Sequence, residues 1–154
     1  MNRNPSRAVI MALAWTAGLL LAALPAAAQT TLIPLGSGTA LDPYRISELG
    51  HLVWMGDSVG ASAGTYHALL NDIDAAATAT WNDEGTDAGV LEGFRPIGTP
   101  AVPFMGEFAG QGHVIRGVTM ARPEQSAVGL FGWIGSGGAV RRLGLEGGAI
   151  TGGS

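Results

Sequence analysis

The sequence predicts an all-β chain whose strands coil and stack as a parallel β-solenoid, and three observations carry that expectation. The first is glycine density: 14 glycines fall in the 48 residues from Gly106 to Gly153. A glycine inside a helix costs about 1 kcal/mol against alanine, so ordinary helices are excluded there. The second is strand period. Phe104, Gly106 and Phe108 alternate with Met105 and Glu107, the two-residue repeat of a strand, and the regular apolar residues among the glycines set this stretch apart from a disordered one. The third is an internal repeat. Ile115-Arg116-Gly117-Val118-Thr119-Met120 matches Val140-Arg141-Arg142-Leu143-Gly144-Leu145 at an offset of 25 residues, with apolar residues at the first, fourth and sixth places. Residues i and i+2 share a face of a flat strand, so a step of three flips the face unless the chain turns a corner. Corners are expected at Arg116-Gly117 and Arg141-Arg142. A corner recurring every 25 residues is what a coiled path produces, each coil touching only the next.

Ahead of this region the elements read in order as follows. Arg3 and Arg7 precede an apolar run, Ala8 to Leu24, that Pro25 stops, and Ala26-Ala27-Ala28 supplies an A-x-A site. Residues 1–28 therefore read as a signal peptide cleaved before Gln29. The run is shorter than the roughly 20 apolar residues a membrane span needs. Residues 29–46 form a lead-in and cap segment, with an Asp42-Pro43 turn. Ser47 is the expected N-cap of a short helix, with Leu49, Leu52 and Val53 on one face and Gly56 at its end. Tyr66 to Ile73 reads as one strand, and Asp74 to Gly93 as a long loop. Residues 47–154 make up the β-solenoid domain, expected to be incomplete at its C-terminal side, and a repeat unit occupies about 114–154.

Composition narrows the function. The eight basic residues are all arginine and cysteine is absent. Loss of Arg3 and Arg7 takes the net charge from −4 to −6. An acidic, lysine-free surface excludes nucleic acid, which requires clustered positive charge, and an anionic membrane surface. An exported protein could use disulfides, but this one has no cysteine with which to form them.

Five blocks follow one another along the chain: Gly36-Ser37-Gly38-Thr39-Ala40-Leu41-Asp42-Pro43-Tyr44-Arg45-Ile46-Ser47; Tyr66-His67-Ala68-Leu69-Leu70-Asn71-Asp72-Ile73-Asp74; Pro96-Ile97-Gly98-Thr99 with Pro103-Phe104; Gly110-Gln111-Gly112-His113-Val114-Ile115; and Val128-Gly129-Leu130-Phe131-Gly132. In this order they resemble the opening segment, the Asn-Asp-Ile-Asp strand, the next blocks and the naming motif of the GLUG-repeat family of bacterial surface and secreted proteins. The resemblance implies a right-handed parallel β-helix of adhesin-like exoproteins, found also as an accessory region of secreted peptidases. The family carries several such motifs and this sequence one; the next is due near Gly153.

Gly56-Asp57-Ser58-Val59-Gly60 matches the G-x-S-x-G elbow of esterases, but that turn needs a large α/β sheet, so Ser58 is read as a loop serine. His51, His67 and His113 lack the spacing of a metal site, and His113 is read as a corner residue. Asp72 and Asp74, joined by Asp83 or Asp87, could begin a loose calcium site, although Ala76, Ala77 and Asp83 stand where an EF-hand loop wants an oxygen ligand, glycine and glutamate. The plainer reading has Asn71 and Asp72 bonding turn backbone. Gly129 and Gly132 allow positive φ or close stacking. Arg116, Arg141 and Arg142 could bind an acidic glycan, but solvated corner charges that discourage edge pairing are the preferred reading. Leu130 and Val118 are expected to point inward in adjacent coils. No catalytic, cofactor or metal residue is assigned. The expectation is a non-enzymatic exported module for adhesion or scaffolding, located in the periplasm, at the cell surface or outside the cell. The alternative is an accessory region of a larger secreted peptidase or glycan-acting exoenzyme. Expected partners are a surface glycan or protein, or a second copy docking on an open C-terminal coil.

Overall fold

The computed structural model describes residues 29–59, 62–81 and 90–153. The expected signal peptide, residues 1–28, lies outside them, as do Gly60 of the elbow motif and Asp83 and Asp87 of the calcium reading. The described chain is mostly strand with one helix: β1 (Tyr44–Ile46), α1 (Leu49–Asp57), β2 (Tyr66–Leu69), β3 (Ile73–Asp74), a 3-10 turn (Ala76–Thr80), β4 (Glu107–Ala109), β5 (Val114–Arg116), β6 (Thr119–Arg122), β7 (Ala139–Arg141), β8 (Gly144–Glu146) and β9 (Ala149–Gly152). Every pairing between these strands is parallel. The first sheet runs β1-β2-β4-β7, the second β3-β5-β8 and the third β6-β9. From β2 onward, strands adjacent in sequence do not pair. β4, β5 and β6 enter the three sheets in turn, and β7, β8 and β9 enter them again in the same order, forming a second tier on the first.

The register corrects the expected repeat. Ile115 pairs with Leu145, 30 residues on, and Phe108 with Val140, 32 residues on; the 25-residue offset is not the stacking period. The corners stand where the sequence places them, between β5 and β6 at Gly117 (φ 75°) and between β7 and β8 at Arg142 (φ 50°). They are successive kinds of corner along the path, not copies of one corner, and each joins two strands that carry inward apolar residues. The expected strand Tyr66–Ile73 is likewise broken into β2 and β3, in different sheets. Leu69 and Ile73 are both buried, one in each of the two sheets. Asn71 holds the corner between them, its Nδ2 donating to the Ser47 carbonyl at 3.1 Å.

The helix starts later than expected. Its N-cap is Glu48, whose side chain makes no capping bond; the Ser47 N–H donates to His51 Nδ1 at 3.1 Å instead. Leu52, Val53 and Met55 are buried, and Leu49 packs half-buried against them. Trp54 seats the helix on the first sheet, its ring 4.8 Å from Tyr44 and 6.4 Å from His67.

Inside the sheets the apolar residues stack in columns: Phe108 under Val140, Ile115 under Leu145 and Met120 under Ile150. A fourth side is made by the isolated parallel bridges Ile97–Phe131 and Phe104–Ile134. Phe104, Phe108, Ile115 and Ile97 are fully buried, and burying such a side chain stabilises by about 1.5–3 kcal/mol. Val118 and Leu130 are buried too, but within one circuit from β4 to β7 rather than in adjacent coils. Thr78 ties the 3-10 turn to β6: its hydroxyl donates to the Ala75 carbonyl at 2.6 Å and accepts the Thr119 N–H at 2.8 Å. Gly132 allows the close approach expected of it, since a Cβ there would lie 2.6 Å from the Gly98 carbonyl oxygen.

Gly93 and Gly112 offer a matched test of stacking distance. Both have positive φ, 77° and 90°. A Cβ on Gly93 would stand 2.1 Å from the Thr119 carbonyl oxygen, whereas one on Gly112 meets nothing within 4 Å. Gly112→Ala is expected to lose about 1 kcal/mol from left-handed strain alone. Gly93→Ala must also push the two segments apart, for a loss of roughly 2–3 kcal/mol. Urea midpoints of the two variants check this; equal shifts would mean the Gly93 backbone does not approach Thr119.

Candidate functional site

On the outer face of the second sheet, stacking builds a ladder of alternating charge. Asp74, Arg116 and Glu146 are register partners across β3, β5 and β8, and Asp72 lies at the corner just before β3. Arg116 Nη1 donates to Asp72 Oδ2 at 2.6 Å, and its Nε to Glu146 Oε2 at 2.9 Å. The Val114 N–H donates to Asp72 Oδ1 at 2.9 Å, and His113 Nδ1 lies 3.4 Å from the same oxygen. The Arg116 guanidinium, aided by the Val114 N–H, holds the Asp72 carboxyl below the ordinary aspartate range. The ladder is solvent-exposed, so it fixes register more than it adds stability.

Arg116 is bonded to two acids, and Arg141 lies 3.7 Å from Glu107, while Arg142 occupies the exposed corner itself. Asp72 and Asp74 serve backbone and arginine: Asp74 Oδ1 accepts the Ala76 N–H at 2.9 Å. A calcium ion at Asp72 would have to displace the guanidinium. Among the described residues no group of three or more acidic, histidine or cysteine side chains is placed to hold a metal. His113 is a corner residue, its N–H donating to the Gly110 carbonyl at 2.8 Å.

Two hollows adjoin the helix. The smaller, about 160 Å³, is lined by Tyr44, Trp54, Met55, Ser58, Ser62, Thr65, His67 and Phe104. Ser58 and His67 both line it, a juxtaposition not legible in the sequence because burial of His67 depends on what stacks above and below it. His67 is 4% exposed and its Nδ1 donates to the Glu107 carbonyl at 3.3 Å. Burial pushes its pKa down from 6.5 to about 4, against the opposing effect of that backbone bond. An imidazole so poor at holding a proton is a weak general base. The Ser58 N–H donates to Trp54 O at 2.8 Å and closes the helix, so Ser58 ends a helix where an esterase elbow sets its serine on a turn that leads from a strand into one.

The larger hollow is an open groove of about 820 Å³ between the end of α1, the segment Arg95–Val102 and the turn Arg122–Ala127. At its rim Asp57 accepts from Thr31 Oγ1 at 2.6 Å and pairs with Arg95. Arg122 is buried, its Nε donating to the Phe94 carbonyl at 3.3 Å. The charges of Asp57 and Arg95 are thus paired at this rim.

No helix among the described residues is long and apolar enough to cross a membrane. No family model matches the chain, and no solved structure matches it. It is 33% identical over 127 residues to the protein named Halomucin of Haloquadratum walsbyi, a match that covers 80% of this chain and 1% of that protein. It is 36% identical over 124 residues to one named as a Gly-rich membrane protein of Evansella cellulosilytica, covering 80% of this chain and 13% of that one. The chain thus spans a small fraction of the length of the curated relatives it matches.

Proposed function

We propose that this chain is a non-enzymatic exported module, a right-handed parallel β-helix of the GLUG-like kind that serves adhesion or surface scaffolding. The observation that carries the reading is the strand order: three parallel sheets entered in the same sequence by β4–β6 and by β7–β9. Such a stack offers long regular faces and few enclosed sites, which suits display and contact more than catalysis. The names of the two relatives, Halomucin and a Gly-rich membrane protein, support a surface or secreted setting, as does the A-x-A site before Gln29.

The test is saturable retention of the labelled, exported chain on cells of the producing organism. Retention that unlabelled chain competes away is expected. Absence of retention, together with ester or peptide turnover abolished by Ser58→Ala, would overturn the reading in favour of an enzyme. A second reading, an accessory region of a larger secreted peptidase or glycan-acting exoenzyme, is favoured by one fact: both relatives are far longer than the matched segment.

A further inference from the structure

The smaller hollow beside the helix holds polar groups whose bonding capacity the fold leaves unused. His67 is 4% exposed and Ser62 5%. His67 Nδ1 gives its hydrogen to the Glu107 carbonyl, so the neutral ring keeps a lone pair on Nε2, which has no hydrogen-bond partner among the described residues. Ser62 Oγ accepts the Met105 N–H at 2.9 Å, and its own hydrogen reaches no acceptor among the described residues. Thr65 Oγ1 donates to the Ser62 carbonyl at 2.7 Å and keeps its lone pairs. Buried polar groups normally find partners. An unused acceptor and an unused donor lining one hollow call for an occupant that supplies both. The rest of the lining is aromatic. Tyr44, Trp54 and Phe104 surround His67, their ring centroids 5.4, 6.4 and 5.6 Å from it. The hollow's volume, about 160 Å³, exceeds the roughly 10–15 Å³ that one water needs and falls below the ~300 Å³ where sites for drug-sized ligands begin.

We propose that this hollow binds one neutral sugar ring, the terminal residue of a surface glycan. A pyranose carries C–H bonds on its faces and hydroxyls around its edge. The negative faces of aromatic rings attract the C–H groups, and each hydroxyl is both donor and acceptor. One hydroxyl donates to His67 Nε2, and another accepts from Ser62 Oγ. Ser58 Oγ, half-buried and without a partner among the described residues, is a further contact. A hydrocarbon of the same size would leave the His67 and Ser62 groups unpaired, which is costly in a buried site. An acidic sugar would meet no cation, because the hollow has no arginine in its lining and its imidazole is neutral. The proposal names a partner for the adhesion reading and rests on that reading only for the glycan's place on a surface; the chemistry of the hollow stands apart from it.

The experiment is an NMR titration of the ¹⁵N-labelled exported chain with the methyl glycosides of glucose, galactose, mannose and N-acetylglucosamine. The readout is the tryptophan indole N–H signals. Beyond residue 28 the chain has Trp54, Trp81 and Trp133, and only Trp54 lines the hollow. At least one glycoside is expected to move the Trp54 signal saturably and leave the other two in place. His67→Leu removes the acceptor and should weaken that binding about tenfold. Ser58→Ala removes a hydroxyl that the fold does not use, so it should weaken binding by less and leave folding intact; far-UV circular dichroism checks both variants. A folded chain in which no glycoside moves Trp54 overturns the proposal. So does binding that neither substitution weakens, or that moves Trp81 and Trp133 as much as Trp54. The bound glycoside is also expected to compete with retention of the chain on cells. Retention with no glycoside bound would overturn the sugar site and leave the adhesion reading standing. Binding at Trp54 without retention would keep the sugar site and overturn the adhesion reading.

Discussion

Phe108→Ala is expected to lower the unfolding free energy by about 3–5 kcal/mol, the range for deleting a buried aromatic ring. Phe108 is fully buried at the centre of the first sheet, between His67 on β2 and Val140 on β7. Its ring meets Phe131 edge-on at 5.5 Å, Phe131 lies 5.0 Å from Phe104, and Phe104 lies 5.6 Å from His67. Alanine therefore removes one end of a chain of rings that crosses two tiers, and the parallel backbones on either side cannot close the gap without breaking their ladders. Domains are stable by only about 5–15 kcal/mol, so the variant should be largely unfolded at temperatures the parent tolerates. Arg141→Gln is the companion measurement. Its side chain is 64% exposed and its acid partner is 3.7 Å away, so the shift should stay within about 0.5 kcal/mol. Urea unfolding followed by tryptophan fluorescence reads both. Comparable midpoint shifts would mean that the faces of the first sheet are assigned the wrong way round.

How far the sequence exposes this architecture depends on which residues are compared. Alternation at Phe104, Gly106 and Phe108 marks β4 because a strand with one buried face must alternate. The corners at Gly117 and Arg142 are legible because two apolar residues three apart cannot both face inward along a straight strand. The stacking period is not legible by likeness, and the ladder shows why. The true partner of Ile115-Arg116-Gly117 is Leu145-Glu146-Gly147. Stacking favours opposite charges on adjacent strands, so Arg116 calls for Glu146, whereas matching by similarity pairs Arg116 with Arg141. The same complementarity hides the ion ladder itself, since Asp72 and Arg116 are 44 residues apart in sequence. The helix is legible from Leu49, Leu52 and Val53, but its first residue is not: Glu48 stays extended (φ −136°, ψ 155°), and the chain begins to wind only after it.

The buried histidine gives the second large effect, and its sign follows from where the proton is lost. In the unfolded chain His67 takes a proton near pH 6.5; in the folded chain burial holds its pKa at about 4. Above pH 6.5 both states carry neutral imidazole and the histidine contributes no pH dependence. Between 6.5 and 4 the unfolded state binds the proton and the folded state does not, so stability falls as pH falls. The full loss from a drop of this size is about 3 kcal/mol, reached near pH 4. Asp72 acts in a lower window. Its folded pKa lies below the ordinary value of 3.8, so its contribution is present above that value and lost only beneath it. Urea midpoints measured from pH 7.5 down to 4.5 should therefore report the histidine ahead of the carboxylate. His67→Leu, which replaces the ring with a neutral apolar side chain between Phe104 and Trp54, should flatten the profile over that interval whatever it does to stability at neutral pH. A slope that survives the substitution would assign the titration to another group, and a flat profile in the parent would mean that the imidazole is reached by water in the folded state.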